Sequence, residues 1–333
     1  MAFTRRHWLG WVTAAGLKAA AVRDIGRLLE DPPGWLIPDL RARRYVARAT
    51  VTLLGVPVFS RSGVGEGYAR YQESPIAEGR SIEIEFGAGS FPEKAHGVNK
   101  MGFLREAVIE TCAGALAECN YFGFMTASQE KSLDDARKSF LPAAENLTYS
   151  ASFGTIRRDG VSGRTMRIQL PSRYDWRDCA AIAREVRPAV EARPTEEPAP
   201  LQPGGDIPAT FLYAVRKAIL DPRRFSEEQL IFNGKYFVLR TERQPDVAVG
   251  RELAARNLAR SADRVIRLTG TLQLKHGGNQ TNFHVWFESG SEQEPPLRFD
   301  YQAKSFLHLS FLSSGPYRPT GVLNNLCHKK ENS

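Results

Sequence analysis

Short runs in which apolar and polar residues alternate recur along the chain, and they place strands before any other element. In "SIEIEFGAG", Ile82, Ile84 and Phe86 occupy alternate positions, the period of a strand with one buried face. "GFLREAVIE" and "LAECNYFGFM" follow as a further strand pair. "YSASFGTIRRDGVSGRTMRIQL" divides into two strands around an Asp159-Gly160 turn. "ARATVTLLGVPVFS" reads as one strand with a Gly-x-Pro interruption, a bulge or a sheet edge. The strongest local signal is "QLIFNGKYFVLRTE", where Asn233-Gly234 tolerates the positive φ values of a type I′ hairpin turn. Two more hairpins are expected between residues 264 and 312.

In that last region the alternation assigns faces. Ile266, Leu268, Leu272 and Leu274 share one side of a strand, and Phe283, Val285 and Phe287 one side of the next. A two-residue turn at Gly278-Asn279 sets Leu274 opposite Phe283 and Leu272 opposite Val285. Leu297, Phe299 and Tyr301, then Leu307, Leu309 and Phe311, are expected on the same face. The other face then carries Arg267, Gln273, His284, Trp286, Arg298, Asp300 and His308. Trp and Arg together are common anchors for ligands. Arg267, His284, Trp286, Arg298, Asp300 and His308 are therefore candidate ligand-binding residues, against the plainer reading of a solvated face. An odd-length turn around Lys304 sets Asp300 opposite His308, which would raise the histidine's pKa.

Helical patterns are fewer. Residues 126 to 140 form one candidate, with Thr126 or Ser128 as its cap. Asp175 is placed to cap "DWRDCAAIAREV", which Pro188 disturbs. "PATFLYAVRKAIL" carries an apolar stripe at Phe211, Leu212, Val215 and Ile219. Residues 193 to 208 hold five prolines and no apolar period, and read as a linker or long loop that covers no core surface. The expected organisation is an opening segment (1–21), a β-rich region (22–192), the proline-rich stretch (193–208), a helix plus antiparallel meander (209–315) and a polar tail (316–333). Strands dominate with few crossover helices, so the fold class is α+β: a predominantly antiparallel, curved, half-barrel-like sheet with a few packing helices.

Composition adds limits. At 333 residues, 42% hydrophobic and 25% charged, the chain has the make-up of a globular protein. No apolar run is long enough for a helical membrane span. The net charge is +8, and the densest basic cluster is Arg41, Arg43, Arg44 and Arg48. That cluster reads as a phosphate contact or as a solvated basic edge. It has one aromatic neighbour, Tyr45, and no recognition motif, so nucleic acid is not an expected partner.

The opening, Thr4-Arg5-Arg6-His7-Trp8-Leu9, resembles the twin-arginine export signal, with Arg5 and Arg6 as its pair, Trp8 in place of the usual Phe and Gly10 in place of the usual Lys. A mildly apolar stretch follows, and Ala19-x-Ala21 is a plausible cleavage site. The resemblance implies a periplasmic or otherwise exported protein. Of the four cysteines, Cys112 and Cys119 flank a segment short enough for a local disulfide. No His or Cys spacing suits a metal. "GVGEG" and "GAG" lack the phosphate-loop pattern and read as turns or bulges, no nucleophile elbow occurs, and no cofactor is expected.

"FHVWFESGSEQEPPLRFDYQAKSFLHLSF", through its Pro-Leu-Arg-Phe strand start and long closing strand, resembles the last strands of exported bacterial β-rich domains of unknown function, relatives in general look of the lipoprotein-carrier half-barrels. No functional residue transfers from that likeness. Two functions stay open: an envelope protein that binds a lipid, another amphipathic or hydrophobic ligand, or an envelope protein partner on a curved sheet without catalysis; or an exported, hydrolase-like enzyme whose site is assembled from dispersed residues.

Overall fold

The structure, a computed structural model, describes residues 41–53, 56–95, 97–127, 145–194, 196–199, 207–232, 235–275, 277–278, 280–304 and 307–316. Its strands are β1 (Arg41–Leu53), β2 (Val56–Ile76), β3 (Gly79–Ser90), β4 (Met101–Thr111), β5 (Leu116–Thr126), β6 (Asn146–Arg157), β7 (Gly160–Pro171), β8 (Glu196–Ala199), β9 (Phe225–Phe232), β10 (Lys235–Pro245), β11 (Val265–Leu274), β12 (Gln280–Glu288), β13 (Arg298–Lys304) and β14 (Leu307–Pro316). The helices are α1 (Cys179–Glu191), α2 (Phe211–Leu220) and α3 (Val247–Ala255). All fourteen strands form one sheet, in the order β8-β7-β6-β5-β4-β3-β2-β1-β14-β13-β12-β11-β10-β9. It is two antiparallel meanders joined where β1 pairs with β14.

The sheet is strongly curved. Strands β4 and β9 are nine positions apart in that order, which in a flat sheet would separate them by about 43 Å. Yet α2, only ten residues long, reaches both. The Glu106 carboxylate on β4 accepts the N–H groups of Leu212 and Tyr213, each at 2.9 Å, while Ala209, just before the helix, bridges to Leu230 on β9. The sheet therefore wraps around α2. A core on the concave face joins Ile82, Ile84 and Val108 to Leu268, Val285 and Phe287 through Ala214 and Ile219. Only Lys217 of the helix is exposed.

Sheet and helix are pinned by charge. Glu106 meets the positive end of the helix dipole and fills a capping role that the Thr210 side chain leaves open. The Tyr213 hydroxyl and Arg80 both donate to Glu110, and Arg216 donates to Glu73 and, at 2.9 Å, to Gln293. Burial pushes the Glu106 carboxyl up from 4.5 to about 7, although the N–H groups that it accepts oppose the rise. The other two helices lie on the convex face. Helix α1 sets Ile182, Ala183 and Val190 on Phe103, Phe122, Phe124 and Phe153, and α3 covers Trp286.

Most of the alternation reads correctly onto this architecture. Ile82 and Ile84 are buried on β3, β4 and β5 pair, β6 and β7 meet around residues 158–159, and β9 pairs with β10. Asp175 caps a short turn ahead of α1 through a reciprocal box with Asp178. The glycines of "GVGEG" sit where β2 bulges against β1, the register stepping from Ala47↔Gly65 to Arg48↔Ser62.

Several expectations need correction. "ARATVTLLGVPVFS" is the β1–β2 hairpin, not one interrupted strand. Helix α1 runs past Pro188 to Glu191, because the proline sits in the last turn and forfeits one interior bond. Thr126 ends β5, its hydroxyl bonded to both backbone groups of Met101, and the Ala127 N–H donates to the Thr148 carbonyl; residues 128–140 of the expected helix lie outside the described residues. The stretch 193–208 does cover core: β8 pairs with β7, and Ile207 is buried in the concave core. Cys112 and Cys119 are both free, since Cys112 is exposed at the β4–β5 turn while Cys119 faces the concave core. The opening with Arg5 and Arg6 lies outside the described residues, as does Cys327.

Candidate functional site

Strand alternation puts a ladder of polar side chains on the convex face of β11 to β14, and β1 and β2 continue it. One cross-strand row reads Arg267, Trp286, Arg298, Leu312, Val46. The next reads Thr269, His284, Asp300, Ser310, Arg48, Ser62. Five of the six residues singled out from sequence thus become neighbours. His308 lies on the same face one row further on, opposite Gln302 and Thr50.

The ladder is partly roofed. Asp246 caps α3 by accepting the Val249 N–H at 3.1 Å, and the same carboxylate accepts the indole N–H of Trp286 at 3.0 Å. Burial pushes the Asp246 carboxyl up, but these donors and the charges of Arg267 and Arg298 hold it below its ordinary value. With Leu253, Val265 and Leu297, Trp286 makes a small core beneath the helix. Trp286 is only 4% exposed, so it supports the roof and offers a ligand no open face.

Three details of the expected faces change. Leu268 pairs with Val285 and Ile266 with Phe287, and the last β11–β12 pair is Gln273↔Gln280, in place of the register set by a two-residue turn at Gly278-Asn279. The slip spans an even number of residues, so the apolar sets still share the concave face. Leu297 does not join them; it lies under α3 with Trp286. Asp300 pairs with Ser310, not His308, and takes both Arg298 (3.0 and 2.6 Å) and the Ser310 hydroxyl (2.5 Å). Asp300 is also the cross-strand neighbour of His284, whose pKa falls below its ordinary value because burial and Arg267 outweigh that carboxylate.

Beside the roofed part lies a pocket of about 370 Å³, between α3 and strands β1, β13 and β14. That volume suits a small ligand. Its apolar wall is Val46, Leu258 and Leu312. Its polar wall is Arg48, Arg256 and Arg298, with the serines 62, 310, 313 and 314 and one carboxylate, Glu252. Arg298 is committed to Asp300 and stacks 4.7 Å from the Trp286 ring centroid, and Arg256 pairs with Glu252 at 3.2 Å. Arg48 is exposed and has no ion pair among the described residues. The arrangement can accept an anionic group next to an apolar body. Sequence reasoning placed Arg48 only in a basic cluster. Its parity against Tyr45 and Ala47 was the available signal for its face, while Arg256, Leu258 and Glu252 needed α3 to be recognised.

The buried Glu106, Glu110 and Tyr213 form another titratable cluster among the described residues, with Glu106 1% exposed beneath α2; the exposed Arg80 reaches Glu110 from its edge. Among the described residues no three His, Cys, Asp or Glu side chains gather as a metal site, and no helix is long and apolar enough to cross a membrane.

No family model matches the chain, and no curated protein matches it. Among solved structures, it is similar to a beta-barrel-like protein of Domain of Unknown Function DUF1849 from Brucella abortus, at 9% identity and a TM-score of 0.43 over 83% of this chain and 98% of that one.

Proposed function

We propose that the protein is a non-catalytic binding protein of the cell envelope, exported through its opening segment, whose ligand is an amphipathic molecule with an anionic group. The observation that carries this reading is the pocket beside α3, where the unpaired Arg48, a row of serine hydroxyls and the Val46–Leu258–Leu312 wall meet. An anion there gains charge-assisted hydrogen bonds, and a short apolar chain gains a dry surface. The concave face, where a half-barrel would ordinarily hold a ligand, is occupied by the chain's own α2.

Calorimetric titration with dodecyl phosphate, dodecanoate and inorganic phosphate tests the reading. Binding of the amphiphiles is expected to weaken at least about tenfold in Arg48→Glu, with inorganic phosphate weaker than dodecyl phosphate throughout. Equal binding by parent and variant sets the pocket aside. N-terminal sequencing of protein from an envelope fraction tests the export step, and an intact Met1 confined to cytoplasm overturns it.

A further inference from the structure

The three guanidinium groups of the pocket beside α3 are not equally engaged. Arg298 gives Nε and Nη2 to Asp300, at 3.0 and 2.6 Å. Its remaining nitrogen, Nη1, stands 3.6 Å from one oxygen of Glu252, whose other oxygen stands 3.2 Å from Arg256. One carboxylate thus lies between a guanidinium of the helix and one of the sheet. Arg48, on β1, has no ion pair among the described residues.

The charges that line the pocket therefore leave one positive charge unbalanced. Glu252 answers Arg256, Asp300 answers Arg298, and Arg48 is left over. The charged groups just outside the lining do not alter this. Glu66, opposite Val46 across the sheet, is taken by Arg44, and Asp246 lies 3.7 Å from Arg267. Around Arg48 the remaining donors are neutral: Ser62 and Ser314 are exposed on the two strands that flank β1.

Glu252 does little for the fold. It lies in the last turn of α3, where the free carbonyl ends disfavour a negative charge. Its side chain is 38% exposed, and the contact with Arg298 is longer than a hydrogen bond. Ion pairs of this kind add little to stability. What the carboxylate does control is the charge that a ligand meets beside Arg48.

We infer that the pocket selects a head group with a single negative charge, and that Glu252 is the residue that sets this choice. The inference rests on the reading of the pocket as a site for an anionic amphiphile. One charge on the ligand neutralises Arg48, while the hydroxyls of Ser62 and Ser314 serve its uncharged oxygens. A second charge finds Arg256 and Arg298 already answered and faces the Glu252 carboxylate, in a pocket where like charges are screened less than in bulk water.

Calorimetric titration with two probes of equal chain length tests this. At about pH 8 dodecyl phosphate carries close to two negative charges, and its methyl ester, methyl dodecyl phosphate, carries one. The parent protein is expected to bind the methyl ester at least about fivefold more tightly than dodecyl phosphate. Glu252→Gln keeps the size of the side chain and removes its charge. It is expected to raise the affinity for dodecyl phosphate about tenfold and that for the methyl ester no more than about threefold. Glu252→Asp keeps the charge and is expected to keep the parental preference. Equal or tighter binding of dodecyl phosphate by the parent overturns the inference and leaves the pocket reading in place. So does a Glu252→Gln variant with the parental preference, or the same loss of preference in Glu252→Asp. Binding of neither probe by parent or variants overturns the pocket reading, and this inference with it.

Discussion

Trp286 donates its indole N–H to Asp246, the residue that caps the helix lying over that same indole. One carboxylate therefore sets where α3 begins and what it rests on. Trp286→Ala removes both the hydrogen bond and the floor of the small core with Leu253 and Leu297. The expected loss is about 3–5 kcal/mol, read by urea unfolding. A loss below about 1 kcal/mol would show that α3 stands without it.

The buried Glu106 gives stability a pH dependence of known sign. Its folded pKa of about 7 lies above the ordinary 4.5, so the native chain holds its proton more tightly than the unfolded chain. This contribution is complete below about pH 4.5 and is lost as the pH rises through about 7, with an upper size of about 3 kcal/mol. Glu106→Gln should flatten the change in unfolding free energy between about pH 5 and about pH 8. An unaltered slope would mean that other groups cause it.

Gly250 in α3 faces the carbonyl of Ala262, and a Cβ there would lie 2.0 Å from that oxygen. Gly250→Ala must push the helix off the 256–264 turn despite alanine's better helix propensity. A destabilisation of about 1–3 kcal/mol is expected, and a gain in melting temperature would refute the packing.

The cysteines differ in reach. Cys112 is exposed, whereas Cys119 and Cys179 are buried and burial pushes both thiols up. In a Cys327→Ser variant, a thiol reagent should titrate one cysteine in the native chain and the other two only after denaturant is added. Early reaction of Cys119 would place it outside the concave core.

How much of this was legible in advance depended on distance along the chain. The hairpins and their buried faces follow from period-two alternation, which is local, so Ile82, Ile84 and the Leu268–Val285 face could be read directly. The β11–β12 register could not, because Gly277 and Gly278 each suit a turn and an even slip leaves every face intact. The polar ladder was assigned correctly as a face, but the burial of Trp286 was not, since "VAVGRELAA" gave little sign of a helix that would cover it. Glu106 lies more than a hundred residues from the helix that it caps. No local pattern encodes that contact; only the curvature of the whole sheet brings it about.

The pairing of β1 with β14 has a consequence for biosynthesis. Among the described strands β1 is the first to leave the ribosome, yet one of its two neighbours is the last. Until the final hairpin is made, one row of β1 backbone donors and acceptors stays open, the kind of surface on which stray chains aggregate. "RARRYVARATVTL" meets that interval with Arg41, Arg43, Arg44 and Arg48 distributed over both faces of the strand. Mutual charge repulsion between nascent copies is a gatekeeping device for an exposed edge. The basic cluster thus guards the unfinished sheet before Arg48 ever lines a pocket.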